Sequence, residues 1–392
     1  MKPNSEQQQE PVNDNAGMQR WRRHLHRYPE TGFDVHDSAA FVAEILRSFG
    51  LEVQEGIGQT GVVAILRRGD SSKAIGLRAD LDALHVEELN TFEHCSKNTG
   101  RMHACGHDGH TAMLLGAAQC LAQNGEFNGT VYFIFQPNEE HGLGAKAMIA
   151  DGLFQRFPMR AIYGMHNMPG MPSGQLAMNS GAVMAGEDNF CITVKGRGGH
   201  ASQPHHHIDP VPISAEITLA LQTIVSRSIA PEEQAVVSIT EIETDGTVNV
   251  IPSTVTLKGD CRNFNEDVSL KLEEAMTRIV EGISAAHGAD CEVVYQRLFP
   301  PTINSQAETE HARLAALATV GSEKIDASCK PLTISEDFAS MLKEKPGCYV
   351  FIGNGEDSEG GCMLHNPHYD FNDDILDTGC QYWVNLAEQQ LK

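Results

Sequence analysis

Met102-His103-Ala104-Cys105-Gly106-His107-Asp108-Gly109-His110 is the stretch on which the reading of this chain turns. It sets a thiol among imidazoles where a glycine-rich loop gives way to the apolar run Thr111-Ala112-Met113-Leu114-Leu115. Cysteine thiolate and neutral histidine are ligands that a zinc-like ion prefers. A loop entering a helix can also aim several side chains at one point. A metal centre is therefore expected here, provided that the rest of the chain supplies carboxylates and distant histidines.

Outward from that loop, three apolar runs end in ligand-type residues. Ala74-Ile75-Gly76-Leu77 leads into Arg78-Ala79-Asp80-Leu81-Asp82, and Thr130 to Phe135 leads into Gln136-Pro137-Asn138-Glu139-Glu140. Ala161 to Met165 is followed by His166. Each run reads as a buried strand, and a further short strand is expected at 62–66. Helices are expected at 18–28, 38–49 (capped by Ser38 and stopped by Gly50), 111–122 and 145–149. Alternation of this kind implies an α/β fold, a mostly parallel sheet with helices on both faces. Ligands of such sheets gather beyond the carboxyl ends of the strands, so the three tips are expected to converge on Cys105.

Near Gly186 the pattern changes. Strands at 189–194, 235–242, 254–262 and 291–296 and helices at 209–226 and 267–287 give the order β-α-β-β-α-β, that of a ferredoxin-like domain. The expected organisation is a disordered polar tail, 1–17, a catalytic domain made of 18–186 and 298–392, and an inserted domain, 187–297. Helices at 308–320 and 337–342, a strand at 348–352 and a last helix from Asp374 are expected to complete the first domain.

Composition narrows the function. A chain of 392 residues with 41% hydrophobic and 21% charged residues suits two soluble domains. No apolar run is long enough to span a membrane. The net charge of −23, with basic residues no denser than pairs such as Arg22-Arg23, argues against a nucleic-acid partner. Ten cysteines without CxxC pairs, and a tail without an apolar core, point to reduced thiols in the cytoplasm.

Several motifs in order then carry a resemblance: Met102 to His110, Arg78 to Leu84, Gln136-Pro137-Asn138-Glu139-Glu140, Gly198-Gly199-His200-Ala201, Asn249-Val250-Ile251-Pro252, Ser335-Glu336-Asp337-Phe338 and Leu364-His365-Asn366-Pro367. From about Arg20 onward the chain resembles the hippurate hydrolase and auxin–amino acid conjugate hydrolase branch of the aminoacylase and carboxypeptidase G metallopeptidase superfamily. The resemblance implies two divalent ions, drawn from zinc, manganese, cobalt and nickel, held by Cys105, His107, Glu140, His166 and His365. It implies Glu139 as general base and His200, on the insert, as the group that polarises the scissile carbonyl. The insert then acts as a lid or dimerisation domain, which implies a homodimer or higher oligomer. Asn249 and Arg262 are expected to grip the substrate carboxylate, and Asp82 to steady a ligating histidine.

The implied reaction is hydrolysis of N-acyl amino acids, N-acetyl or hippurate-like N-aroyl, with a dipeptidase or exopeptidase as the alternative. A cysteine nucleophile at Cys105 would need neither the Glu139-Glu140 pair nor His166 and His365. A zinc nucleoside deaminase lacks its H-x-E and P-C-x-x-C signature here. A noncatalytic metal-binding protein would close every coordination position. The triplet His205-His206-His207 is read as solvent-facing, and His287 and His311 as structural or exposed. His85 and Asn138 depart from the family pattern, which has proline and alanine there, without touching a ligand.

Overall fold

The computed structural model describes residues 15–357 and 362–392, so most of the expected tail lies outside the described residues. Its end does not: Asn15 to Gly17 open a helix, Asn15–Arg27, anchored by the buried Met18 and Arg22. The chain divides into two compact units, one of Met1–Gly181, Ile303–Lys330 and Ser340–Lys392, the other of Ala182–Thr302 and Pro331–Ala339. Among the described residues no helix is long and apolar enough to cross a membrane.

The first unit is built on an eight-stranded sheet. In spatial order its strands are Glu52–Ile57, Gly61–Arg68, Gly129–Gln136, Ala74–Asp80, Ala161–Pro169, Gly347–Gly355, Leu176–Ala177 and Ile325–Asp326. The four middle strands, from Gly129–Gln136 to Gly347–Gly355, pair in parallel. Ala74–Asp80 and Ala161–Pro169 are buried along their whole length, as strands covered on both faces must be. On one face Val62, Leu77, Phe133 and Tyr163 share a core with the helices His36–Ser48, His107–Asn124 and Leu376–Gln390. On the other, Tyr132 meets Phe157 with ring centroids 5.6 Å apart.

One strand goes unannounced in the sequence, and two local expectations need correction. Glu52–Ile57 is an edge strand, antiparallel to Gly61–Arg68, that its largely exposed sequence does not announce. Ser38 is not the cap of its helix, which begins at His36; the Glu30 carboxylate instead accepts from the Asp37 and Ser38 N–H groups at 3.2 and 2.7 Å. His166 lies inside its strand, which continues to Pro169, rather than after it.

The second unit has a four-stranded antiparallel sheet in the order Ala235–Thr244, Thr254–Asn263, Gly186–Lys195, Asp290–Phe299. Alternate residues, among them Phe190, Ile192, Val255 and Leu257, form its core with Ile217 and Leu221 of the helix Pro210–Thr223 and Leu272 and Met276 of the helix Glu266–Ala286. The opposite parity faces outward, the alternation of a sheet covered on one side.

Candidate metal centre

Register brings the strand tips level. Asp80 stands opposite Gln136, and Arg78 opposite Gly164, so Asp80 and His166 share one level at the carboxyl ends of the parallel strands. The helix that carries His107 starts there, earlier than its apolar spacing suggests, after Gly106 at φ 92°. Only glycine fits that turn: a Cβ would sit 2.2 Å from Asn167 Oδ1 and 2.6 Å from the Tyr369 hydroxyl.

The five residues taken as ligands come together at this end of the first unit. Cys105, His107 and His166 place ligand atoms within 4.8 Å of one another, as do Cys105, Glu140 and His365. Cys105 Sγ lies 3.4 Å from His166 Nε2. Glu140 Oε1 lies 3.8 Å from His107 Nε2, and its Oε2 3.5 Å from His365 Nε2. Two non-glycine residues adopt left-handed backbone here, His365 at φ 64° and Asn138 at φ 53°. Asparagine tolerates that conformation better than alanine, so the departure at Asn138 suits the turn that presents the glutamate pair.

The imidazoles are oriented from behind. His107 Nδ1 donates to the Asp82 carbonyl at 2.7 Å and His166 Nδ1 to the Asn167 carbonyl at 2.6 Å. Both Nε2 atoms thereby face the site, that of His166 with its lone pair and that of His107 once a metal takes the place of its proton. His107 Nε2 and Glu140 Oε1 are buried and without a hydrogen-bond partner, an orphaned pair that a cation between them would satisfy. Asp82 also accepts from the N–H groups of Glu139 and Glu140, at 3.0 and 3.3 Å.

Charge agrees with geometry. Burial works against a cation on His107, yet Asp80, the Asp82 hydrogen bond and Glu140 outweigh it and hold the imidazole up at about 10. Burial, with Asp82 and Asp80 adding to it, pushes Glu140 up to about 7. Burial, with the His110 ring beside it, keeps His166 well below the usual histidine range. A pocket that raises the basicity of one group and resists ionising another acid carries surplus negative charge, which favours capture of a divalent ion. The thiolate, imidazole and carboxylate set fits zinc and its neighbours in the first transition row.

A layer behind these residues was only partly anticipated. Asp80 accepts from Arg78 at 2.8 Å through one oxygen and from His110 Nδ1 at 2.7 Å through the other. His110 Nε2 accepts from the Asn167 N–H, and Asn167 Nδ2 donates to the Tyr369 hydroxyl at 2.6 Å. Asn167 and Tyr369 had no sequence signal beyond lying near His166 and His365. His103 is buried with neither ring nitrogen bonded, and burial holds it down at about 4.

The remaining candidates lie on the second unit. Gly199–His200 pairs with Val250–Ile251, and the Ala201 N–H donates to the Asn249 carbonyl, so His200 and Asn249 share one small ribbon. His200 is exposed, its Nδ1 accepting from the Ser202 N–H at 3.2 Å. The Arg262 guanidinium is held by Glu187 and Asp260, each at 2.9 Å, and donates to Ser335 Oγ at 2.7 Å. The His205 and His206 rings lie 4.0 Å apart, and among the described residues neither joins a cluster of metal-binding type.

Residues 76–389 match the family model described as Peptidase family M20/M25/M40. A hippurate hydrolase of Campylobacter jejuni is 40% identical over 95% of this chain and 96% of its own. Thermostable carboxypeptidase 1 of Saccharolobus solfataricus is 38% identical over 93% of each chain. The Bacillus subtilis YXEP protein, described as a dinuclear metal binding peptidase, superposes with a TM-score of 0.83 at 32% identity, covering 96% of this chain and 98% of its own. The chain accordingly belongs to Peptidase family M20/M25/M40 and is a hydrolytic amidohydrolase.

Proposed function

We propose that this enzyme hydrolyses the amide bond of N-acyl amino acids, N-acetyl or N-aroyl, giving a carboxylic acid and a free amino acid, with two divalent ions held by Cys105, His107, Glu140, His166 and His365. The observation that carries the reading is the convergence of these side chains at one end of a parallel sheet, with His107 and His166 oriented by main-chain carbonyls. When bound, the two ions supply Lewis acidity and lower the pKa of water. Glu139, 6% exposed and hung on Asp82 by its own N–H, takes the proton of the attacking water and returns it to the departing amine. Asp82 fixes both glutamates and His107 at once, so the base and two ligands keep their spacing.

His200 polarises the scissile carbonyl and Asn249, beside it on the ribbon, contacts the substrate carboxylate. Arg262 aids that grip once a substrate carboxylate displaces one of its two acidic partners. The enzyme works as a homodimer or larger assembly in the cytoplasm. Val236 and Ile242, exposed on an edge strand of the second unit, support association. None of the ten cysteines is in a disulfide.

A panel of N-benzoyl and N-acetyl amino acids against dipeptides, with metal analysis of the same sample, tests the reading. Release of free amino acid from the acylated substrates, lost on exhaustive chelation and restored by divalent metal, is expected. Full activity after chelation would return Cys105 as a nucleophile. Faster cleavage of dipeptides than of every N-acyl amino acid would favour the peptidase alternative, which the carboxypeptidase relative keeps in play.

A further inference from the structure

The first unit buries a second set of charges that no step of hydrolysis uses. Arg22, 1% exposed, donates through Nη1 to Asp370 and through Nε to Asp373, each at 2.7 Å, and its Nη1 lies 3.7 Å from Asp108. On the same helix, one turn later, His26 Nδ1 donates to Asp108 at 2.9 Å while its Nε2 faces Glu88 at 3.2 Å. His94 Nε2 adds a contact to Asp370 at 3.0 Å.

The acids in this cluster sit beside the proposed ligands. Asp108 follows His107 in the first turn of its helix, and Asp370 closes the segment that begins with His365. That segment is tied down along its length: His365 N–H donates to the Ala104 carbonyl at 2.7 Å, Leu89 N–H to the Pro367 carbonyl at 3.0 Å, and Asn90 Nδ2 to the Tyr369 carbonyl at 3.1 Å. His107 and His365 stand far apart in sequence, and neither helix propensity nor strand register sets their separation. Arg22 spans it, reaching Asp108 on one side and Asp370 on the other. Its planar fork can serve several acids at fixed angles, which a point charge cannot.

We propose that Arg22, seconded by His26, is a positioning residue that registers the His365 segment against the His107 helix, so that the ligands reach binding distance before any metal arrives. The proposal rests on the ligand assignment above and adds to it the device that aligns its two halves. A cluster that merely staples the fold would stabilise the metal-free and metal-loaded protein alike. A positioning cluster stabilises the loaded form more, because its loss also costs metal affinity.

The test compares wild type with Arg22→Lys, Arg22→Met and Asp370→Asn, using His365→Ala as the ligand control and the surface change Arg156→Gln as the neutral one. Zinc affinity is measured by competition with a chelator, stoichiometry by elemental analysis, and the melting temperature with and without zinc. Asp370→Asn should fold and bind zinc about 10–100-fold more weakly, as loss of groups behind metal ligands does. Its zinc-induced rise in melting temperature should shrink, and Arg22→Lys should keep more affinity than Arg22→Met. If Arg22→Met does not fold, Asp370→Asn still decides, since that carboxylate is 25% exposed and its amide keeps the shape. Equal drops in both melting temperatures with unchanged zinc affinity would overturn the proposal. If His365→Ala loses zinc and Asp370→Asn does not, the ligand assignment stands and only the positioning role falls. If His365→Ala binds zinc like wild type, both fall.

Discussion

Two histidine-bearing regions of this molecule look alike in sequence and differ in physics. At 102–110 the imidazoles of the first unit are buried, and acids or main-chain carbonyls claim one nitrogen of both His107 and His110. At 200–207 the second unit carries four histidines, of which three are exposed, and the nearest polar partner of His200 is Ser202. Histidine density therefore does not distinguish a ligand. At His107 and His166 what does is a second group fixing the far side of the ring, in a place where water cannot satisfy the near side, whereas the exposed His365 is set through its backbone, whose N–H donates to the Ala104 carbonyl.

That contrast is broken most severely at Glu139. Glu139→Gln keeps the hydrogen bond of its own N–H to Asp82 and every proposed ligand, but cannot accept a proton. We expect kcat to fall by about 10²–10⁴-fold, the usual contribution of a positioned acid or base, with metal content unchanged. Cys105→Ala should lose metal as well as activity. An active Glu139→Gln enzyme would remove the general-base assignment.

The second unit supplies the next test. His200→Ala should cost about 10²–10³-fold in kcat if its ring stabilises the developing oxyanion, again with full metal content. His205→Ala and His206→Ala, on exposed rings that lie against one another and, for His206, against His207, should leave kcat near wild type. Equal losses at His200 and His206 would erase the distinction between a working and a solvated histidine on that unit.

Asp82→Asn asks how much the layer behind the ligands contributes. An amide can accept one of the two N–H groups that Asp82 now accepts and sets a donor against the other. A loss of about 10–100-fold in metal affinity or turnover is expected, smaller than at Glu139 because no reacting atom is touched. Wild-type zinc affinity and kcat in Asp82→Asn would show that the glutamate pair is held by its own turn alone.

The same contrast explains what could be read from the chain. The three strand tips were legible because continuous apolar runs mark fully covered parallel strands, and the polar residues after them must lie at the carboxyl ends. The helical start at His107 was harder, since its first turn is Asp-Gly-His and only the glycine at 106 signals the entry. Glu52–Ile57 escaped because an edge strand needs little burial, and Glu30 escaped as a cap because it lies upstream of the helix it serves. Arg22 and His26 were the least visible. They lie within the helix expected at 18–28, where nothing in their spacing marks charged residues as buried, yet both are. The partners of Arg22, Asp370 and Asp373, lie about as far along the chain as it allows, those of His26, Glu88 and Asp108, lie 62 and 82 residues on, and local periodicity carries no record of any of them.

The buried pair around His26 also gives the first unit a pH limit of its own. Burial works against the imidazolium, but the hydrogen bonds to Asp108 and Glu88 and the charge of Asp108 outweigh it and raise the group from 6.5 to about 9. The folded state therefore binds this proton more tightly than the unfolded chain does. Its contribution is complete below about pH 6.5 and is lost as pH rises through about 9, by an amount on the order of a few kcal/mol. The metal-free protein should consequently unfold at lower denaturant as pH rises from neutral to above 9. In His26→Gln, whose amide can still face Asp108 but cannot gain a charge, that alkaline loss should flatten. Chelated samples are needed, because bound metal would stabilise the same unit by mass action. If His26→Gln keeps the full alkaline slope, the loss arises elsewhere, and the imidazolium is not what holds the first helix to Asp108.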